Sequence, residues 1–210
     1  MLWRWVMPDT ENKFSAFLYR FRGYILGVMA VILVCAPPGN EPTAPLIAVL
    51  LYILSAFLRV QARRFIGEHT RGYEHQADAL VTCGPYSCVR HPLYISNTGF
   101  ALGIAIFHLG FSLWILPFML VVIAFEVTLS RIEDRFLERK FGDVWRLWAG
   151  VTPAFCPRLK ALRGERAEDL RVVPLQRTFW QAFFADTSTW LWLLFCNLLL
   201  VVRKVVVFYV

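Results

Sequence analysis

The fold of this chain is decided at Leu80-Val-Thr-Cys-Gly84-Pro85-Tyr86-Ser-Cys-Val-Arg90-His91-Pro92-Leu-Tyr94. Gly84-Pro85 predicts a tight turn, because glycine permits positive φ and proline fixes its own φ. Pro92 begins the next apolar segment, and proline is favoured at the first position of a helix. Arg90 and His91 therefore precede a predicted helix N-terminus, whose free N–H groups and dipole favour an anionic ligand. The alternative is a membrane-flanking loop with an Arg and a His at the interface.

The composition around this stretch is that of a membrane protein. The chain has 210 residues, 58% of them hydrophobic, and its mean hydropathy is +0.52. A soluble domain of this size is rarely so apolar. The first twenty residues lack the pattern of a cleavable signal, so we expect insertion to depend on the internal apolar segments.

The basic residues point to lipid headgroups rather than to nucleic acid. The net charge is +7, and all Lys and Arg fall between apolar segments except Arg203 and Lys204. This placement indicates membrane topology and contact with anionic lipids, so no nucleic-acid partner is predicted. The cysteines are five (35, 83, 88, 156 and 196), with no Cys-x-x-Cys pair. We therefore predict reduced thiols and no metal site.

Apolar runs predict an all-α polytopic membrane protein with about five transmembrane helices. The runs are Tyr24–Ala36, Ala44–Leu58, Leu93–Leu109, Ser112–Leu129 and Thr189–Val210. Only residues 108–111 separate the third and fourth runs, so 93–129 is predicted to form a tight helical hairpin. The last run contains Arg203-Lys204 and is either a fifth span with a snorkelling end or an interfacial hairpin.

Three segments follow from these runs. Residues 1–58 are an interfacial leader and two spans, 59–158 a core with the motif loop and hairpin, and 159–210 a charged segment and an apolar helix. Within the core, apolar residues from Phe136 to Trp148 recur at helical period beside a charged face. This pattern predicts one amphipathic helix continuing out of the membrane along its surface and ending at Pro153 and Pro157. Residues 158–178 are predicted to be a solvated segment.

The cations also predict an orientation. Of the 22 Lys and Arg, four lie in the N-terminal segment, five in 59–90 and eleven in 131–177. The connections 37–43 and 108–111 contain none. With four spans before residue 131, the positive-inside rule places the N-terminus and the motif loop in the cytoplasm.

Two charged clusters flank the predicted hairpin. Arg90 and His91 enter its first helix, and Glu133 and Asp134 leave its second. Because the hairpin is tight, these four residues should surround one pocket that suits a zwitterionic ligand. The alternative is that Glu133 and Asp134 form surface ion pairs with Arg131, Arg135 or Arg90, which contribute little to stability.

Several motifs in order resemble those of a known family. They are Gly84-Pro-Tyr-x-x-Val-Arg-His-Pro-x-Tyr94, an apolar hairpin, Glu133-Asp-x-x-Leu137, Phe141-Gly-x-x-Trp-x-x-Trp148 and Pro153-x-Phe-x-Pro157. Together they resemble the isoprenylcysteine carboxyl methyltransferase family, which is similar in turn to the membrane phospholipid N-methyltransferases. The resemblance covers roughly residues 55–158.

The resemblance implies S-adenosylmethionine bound at the cytoplasmic ends of the helices, with a lipophilic acceptor reaching it from the bilayer. The matching cofactor-binding residues are Tyr86, Arg90, His91, Pro92, Tyr94, Glu133 and Asp134. Arg90 and the helix N-terminus are expected to hold the methionine carboxylate, Glu133 the ammonium or ribose hydroxyls, and Tyr94 the adenine. Arg90 and Glu133 are the two residues expected to be central to catalysis.

The resemblance also ranks the methyl acceptors. The carboxylate of a prenylated cysteine or a related lipid comes first, so carboxyl O-methylation is favoured over N-methylation. The oligomeric state is left undetermined. The chain departs from the family pattern at Asp134, where glutamate is usual, and at Trp145 and Trp148, where tyrosine is common. Two alternatives stay open: an NADPH-dependent membrane reductase of the sterol-reductase type, using cations near 59–64, and a non-catalytic membrane protein.

Overall fold

The structure is a computed structural model that describes residues 11–66, 79–157 and 177–209. Within these ranges the regular elements are all helical. They are α1 Glu11–Cys35, α2 Ala44–Arg63, a short 3-10 helix Gly84–Ser87, α3 Pro92–Leu109, α4 Ile115–Phe141, α5 Asp143–Val151, α6 Phe179–Phe184 and α7 Thr187–Tyr209. The predicted all-α class is confirmed. Residues 158–176 of the predicted solvated segment lie outside the described residues. Residues 1–10 of the predicted interfacial leader do so as well.

Four helices are long and apolar enough to cross a membrane. They are α2, α3, α4 and residues Thr187–Phe208 of α7. Their outer faces carry exposed large apolar side chains such as Leu46, Leu120 and Leu194, as expected where lipid replaces water. The C-terminal apolar run forms one continuous helix, so it is a candidate span and not an interfacial hairpin. A fifth long helix, α1, has 25 residues.

The second and third helices pack closely through small residues. A Cβ at Gly99 would overlap the Ser55 side chain, and one at Gly103 would lie 2.6 Å from the Tyr52 ring. The Ser96 hydroxyl donates a hydrogen bond of 2.9 Å to the Ser55 carbonyl. Glycine and serine let two helix backbones approach each other without a driving force from water. This contact fixes α3, and with it the motif loop, against α2.

One end of the bundle gathers the connections that lack cations. The Gly39 amide donates to the His108 carbonyl at 2.8 Å, and Lys204 Nζ donates to the Gly39 carbonyl at 3.0 Å. The other end of α7 begins beside Asp186, which pairs with Arg59 on α2. Helix α7 therefore runs from the end that contains Arg59 to the end that contains the 37–43 connection. Residues 37–43 and 108–111 share that second end, in agreement with the predicted order of spans.

The predicted single amphipathic helix after the fourth span is wrong, because Gly142 interrupts it. Helix α4 ends at Phe141, Gly142 has φ of +55°, and α5 begins at Asp143. Glycine adopts positive φ without steric cost, so it ends the helix and redirects the chain. Trp148 of α5 is then buried, and its Nε1 donates to the Tyr86 carbonyl at 3.3 Å. This bend brings the end of α5 back to the motif loop. The division of the chain at residues 58 and 158 stays a prediction.

Candidate functional site

The start of α3 is held by the segment that follows α5. Helix α3 begins at Pro92 with His91 as the residue before it, as predicted. The Arg90 amide donates to the Pro153 carbonyl at 2.8 Å, and the His91 amide donates to the Ala154 carbonyl at 3.1 Å. The carbonyls of Pro153 and Ala154, which follow α5, thus pair with the motif. The two parts of the chain that carry the motif form one local structure.

The Arg90 side chain is bound by protein groups. Its Nη1 donates to the carbonyl of Ala149, in the last turn of α5, at 3.1 Å and to the carbonyl of Thr152, the residue after α5, at 2.8 Å. Its Nη2 lies 3.0 Å from Oδ2 of Asp134, and its guanidinium carbon lies 5.7 Å from the centre of the Trp145 ring. A cation at a helix C-terminus interacts favourably with the free carbonyls and the dipole. Arg90 therefore helps to hold α5 and α4 together, and it also lines the cavity described below.

The two adjacent acidic residues have different surroundings. Asp134 binds Arg90, and its Oδ1 lies 3.1 Å from Nε2 of the buried His91. Glu133 has no hydrogen-bond or ion-pair partner among the described residues, and it lines a cavity. Successive residues on a helix point about 100° apart, so both cannot face the same group. The structure thus brings all the predicted site residues together but directs Asp134 toward Arg90 and His91.

The cavity has a volume of about 570 Å³. Its lining includes six of the predicted site residues: Tyr86, Arg90, His91, Pro92, Tyr94 and Glu133. Apolar side chains of α1 and of the candidate spans α4 and α7 line it as well, among them Leu26, Met29, Phe118, Val122 and Trp192. Pockets for small molecules are about 300–1,000 Å³ and combine such apolar walls with a few polar groups. The cavity can hold a molecule of cofactor size beside an apolar one or part of it.

Tyr86 contributes a buried hydroxyl to this cavity. Among the described residues its oxygen has no hydrogen-bond partner. Burial raises the pKa of Tyr86 well above 10, and the negative charge of Glu133 raises this pKa further. The phenol therefore stays neutral and keeps a proton that it can donate to a ligand oxygen or nitrogen.

A second set of polar residues was not predicted from the sequence. Arg59, Asn97, Glu126, Asp186 and Thr189 also line the cavity. Oδ2 of Asp186 accepts from Nε of Arg59 at 2.8 Å, and Oδ1 lies 3.3 Å from Nε of Arg63. The available signal was the presence of Asn97 and Glu126 inside otherwise apolar runs. Polar residues within a membrane span are costly and usually functional.

The lining fits S-adenosylmethionine by its chemistry. The carboxylate of Glu133, which has no partner within residues 11–66, 79–157 and 177–209, can bind an ammonium group, and the Tyr86 hydroxyl offers a donor. The His91 ring lies near two aromatic rings, Tyr94 at 5.5 Å and Phe155 at 5.6 Å between centroids. A purine stacks on such rings. The Nη atoms of Arg90 are taken by protein acceptors, but its charge and the first turn of α3 remain at the cavity wall.

Comparison with known proteins points to the same part of the chain. Residues 43–144 match the family model described as phospholipid methyltransferase. The cobalt-zinc-cadmium resistance protein CzcN of Cupriavidus metallidurans is 36% identical over 100 residues, 48% of this chain and 45% of that protein. The nickel-cobalt-cadmium resistance protein NccN of Alcaligenes xylosoxydans xylosoxydans is 35% identical over 98 residues, 47% of this chain and 45% of that protein. No solved structure matches this chain.

These matches confirm the predicted resemblance, but each curated relative is matched over about half of this chain. The chain matches less than half of the length of the two curated relatives. Their names refer to metal resistance. Within residues 11–66, 79–157 and 177–209, no group of three His, Cys, Asp or Glu side chains is placed to hold a metal ion.

Proposed function

We propose that this protein is an integral membrane methyltransferase that uses S-adenosylmethionine and acts on a lipophilic acceptor, because residues 43–144 match the family model described as phospholipid methyltransferase. One observation carries the proposal. The carboxylate of Glu133, which has no hydrogen-bond or ion-pair partner among the described residues, lines the same cavity as the motif residues and the apolar side chains of the membrane helices. A polar cofactor and an apolar acceptor can therefore meet there.

Each motif residue has a role in holding the cofactor. Glu133 binds its ammonium group or ribose hydroxyls, and Tyr86 donates a hydrogen bond to it. The N–H groups at the start of α3, after Pro92, bind its carboxylate, supported by the positive charge of Arg90. Tyr94 packs against its adenine. When bound, S-adenosylmethionine supplies a methyl group on a sulfonium sulfur, which is already electrophilic.

The chain contributes placement and exclusion of water. Alignment of two bound molecules removes much of the entropic barrier to their reaction, and apolar walls keep water from the reacting atoms. The apolar lining from α4 and α7, such as Phe118, Val122 and Trp192, serves this purpose. The resemblance ranks a carboxylate acceptor, such as that of a prenylated cysteine, first. A carboxylate requires no general base, whereas an ammonium acceptor must first lose a proton.

The site faces the cytoplasm in this proposal. The end of the bundle that contains Arg59, Arg90 and Glu133 is adjacent to the segments that hold twenty of the 22 Lys and Arg, four before residue 23, five in 59–90 and eleven in 131–177. Positively charged segments are retained on the cytoplasmic side. Anionic lipids of that leaflet are the expected contacts of these cations.

The proposal is tested by titrating the detergent-solubilised protein with S-adenosylhomocysteine and, separately, with NADP. We expect saturable binding of S-adenosylhomocysteine and none of NADP. Arg59 and Arg63, the cations considered for the phosphate of NADPH, are both paired with Asp186. Binding of NADP alone would contradict the proposed methyltransferase function and favour a reductase. Binding of neither ligand would favour a non-catalytic membrane protein.

A further inference from the structure

A network of hydrogen bonds lies in the wall of the cavity, among residues that are not part of the motif. Arg59 on α2 donates through three atoms: Nε to Asp186 Oδ2 at 2.8 Å, Nη1 to Asn97 Oδ1 at 2.7 Å and Nη2 to Thr189 Oγ1 at 3.2 Å. These acceptors belong to α3, the start of α7 and the turn before it. Asp186 is 1% exposed. The network fixes the position of Arg59 and the orientation of the Asn97 amide.

The orientation of the Asn97 amide determines which hydrogen bond Glu126 accepts. Because Oδ1 of Asn97 accepts from Arg59, its NH2 group faces α4, where it donates to Oε2 of Glu126 at 3.4 Å. This is a long hydrogen bond. The other oxygen, Oε1, is buried and has no hydrogen-bond partner among the described residues. Glu126 is 2% exposed and has apolar Val122 and Leu129 one turn to either side. A carboxyl group in such surroundings is costly unless something binds it.

Glu126 and Glu133 line the same cavity at two levels. They are seven residues apart on α4, which is two turns, so they lie on one face of the helix about 10 Å apart along its axis. Glu133 is beside the motif. Glu126 lies further along the span, where Met29, Phe118 and Val122 line the cavity. An acceptor entering from the bilayer would bring its polar group to Glu126.

We propose that Glu126 is a specificity-determining residue that binds the polar head of the methyl acceptor, and that this head carries an N–H donor. The inference rests on the proposed function. An N–H group fills the missing contact of Oε1 with a hydrogen bond. A carboxylate has no hydrogen to donate to this oxygen. Glu126 therefore reverses the order of acceptors that sequence resemblance gives.

The proposal is tested by binding of model amphiphiles without cofactor. The ligands are dodecylamine, dodecyltrimethylammonium and dodecanoate, titrated into the wild-type protein in the same detergent. The first two have the same charge and chain, but only dodecylamine has N–H groups. We expect dodecylamine to bind about tenfold more tightly than either of the others, the effect of one hydrogen bond. Equal affinity of the three ligands would overturn the proposal.

Variants separate this role from general stability. In Glu126→Gln the amide oxygen accepts from Asn97 and an NH2 group replaces the unpartnered oxygen, so the variant is expected to bind dodecylamine about tenfold more weakly while changing S-adenosylhomocysteine affinity by less than about twofold. The control is Glu138→Gln, a carboxylate on the same helix that pairs with exposed Arg146 and should bind dodecylamine as the wild type does. Undiminished dodecylamine binding by Glu126→Gln would overturn the proposal. Failure of the proposed function would look different, because then the wild type itself would not bind S-adenosylhomocysteine.

Discussion

Arg90 and Asp134 form an ion pair of 3.0 Å that joins the loop before α3 to the last third of α4. Both side chains are 16% exposed. The second oxygen of Asp134 lies 3.1 Å from His91, which is 3% exposed. A motif that resembles a cofactor-binding sequence thus contains residues that also hold the local fold. The substitution of the usual glutamate by Asp134 matters for the packing of Arg90 and His91 more than for direct contact with the cavity.

Asp134→Asn is expected to lower the stability of the protein. The change leaves Arg90 and His91 without a carboxylate, and hydrogen bonds to charged groups contribute about 1.5–3 kcal/mol each. We expect a lower melting temperature in detergent, measured by intrinsic tryptophan fluorescence. The matched control is Asp143→Asn, whose side chain is 91% exposed and pairs with Arg146. An exposed pair of this kind contributes about 0–1 kcal/mol. Equal melting temperatures of the two variants would contradict the role assigned to Asp134.

Glu133→Gln is expected to lower the affinity for S-adenosylhomocysteine without lowering the melting temperature. Glu133 has no protein partner among the described residues, so its loss should leave the melting temperature unchanged. Its carboxylate should contribute a charge-assisted hydrogen bond to the cofactor, so the affinity for S-adenosylhomocysteine should fall about tenfold. Isothermal titration measures this affinity, with Glu138→Gln as the control. A destabilised variant with normal affinity would show that Glu133 supports the fold instead.

The contrast between these residues explains what the sequence could predict. The order of spans and the start of α3 at Pro92 follow from apolar runs and proline, which are local signals. Which of Glu133 and Asp134 faces Arg90 depends on where α5 returns after Gly142, because α5 helps to hold Arg90, and helical periodicity alone did not indicate a bend there. From the sequence, Arg59 could be placed only at the end of the second apolar run and among the cations near 59–64, because its partners Asn97 and Asp186 are distant in sequence. Such pairings become visible only when the helices are packed.

The orientation of the protein can be tested with two cysteine positions. Cys156 is exposed and follows α5 near the site, while Ser112 lies in the connection between α3 and α4 at the other end of the bundle. In a protein whose other cysteines are replaced, a membrane-impermeant maleimide should label Ser112→Cys in intact cells. It should label Cys156 only after the membrane is opened, because the positive-inside rule places the site in the cytoplasm. Labelling of Cys156 alone in intact cells would show the opposite orientation, with the site outside the cytoplasm.

Gly39→Ala is expected to destabilise the end of the bundle opposite the site. A Cβ at Gly39 would clash with the backbone carbonyl of Leu109, and backbone cannot move aside as a flexible side chain can. The shift would strain the hydrogen bonds that Gly39 makes with His108 and Lys204. Overpacking of this kind costs about 1–3 kcal/mol, so the melting temperature should fall.

The matched control is Gly150→Ala in α5. A Cβ at Gly150 has no atom within 4 Å, and alanine is favoured over glycine in a helix by about 1 kcal/mol. Its melting temperature should therefore equal or exceed that of the wild type. The affinity for S-adenosylhomocysteine should be unchanged in folded Gly39→Ala, because the substitution lies at the far end of the membrane helices from Glu133. A melting temperature of Gly39→Ala equal to that of Gly150→Ala would mean that the 37–43 connection does not hold α3 and α7 together.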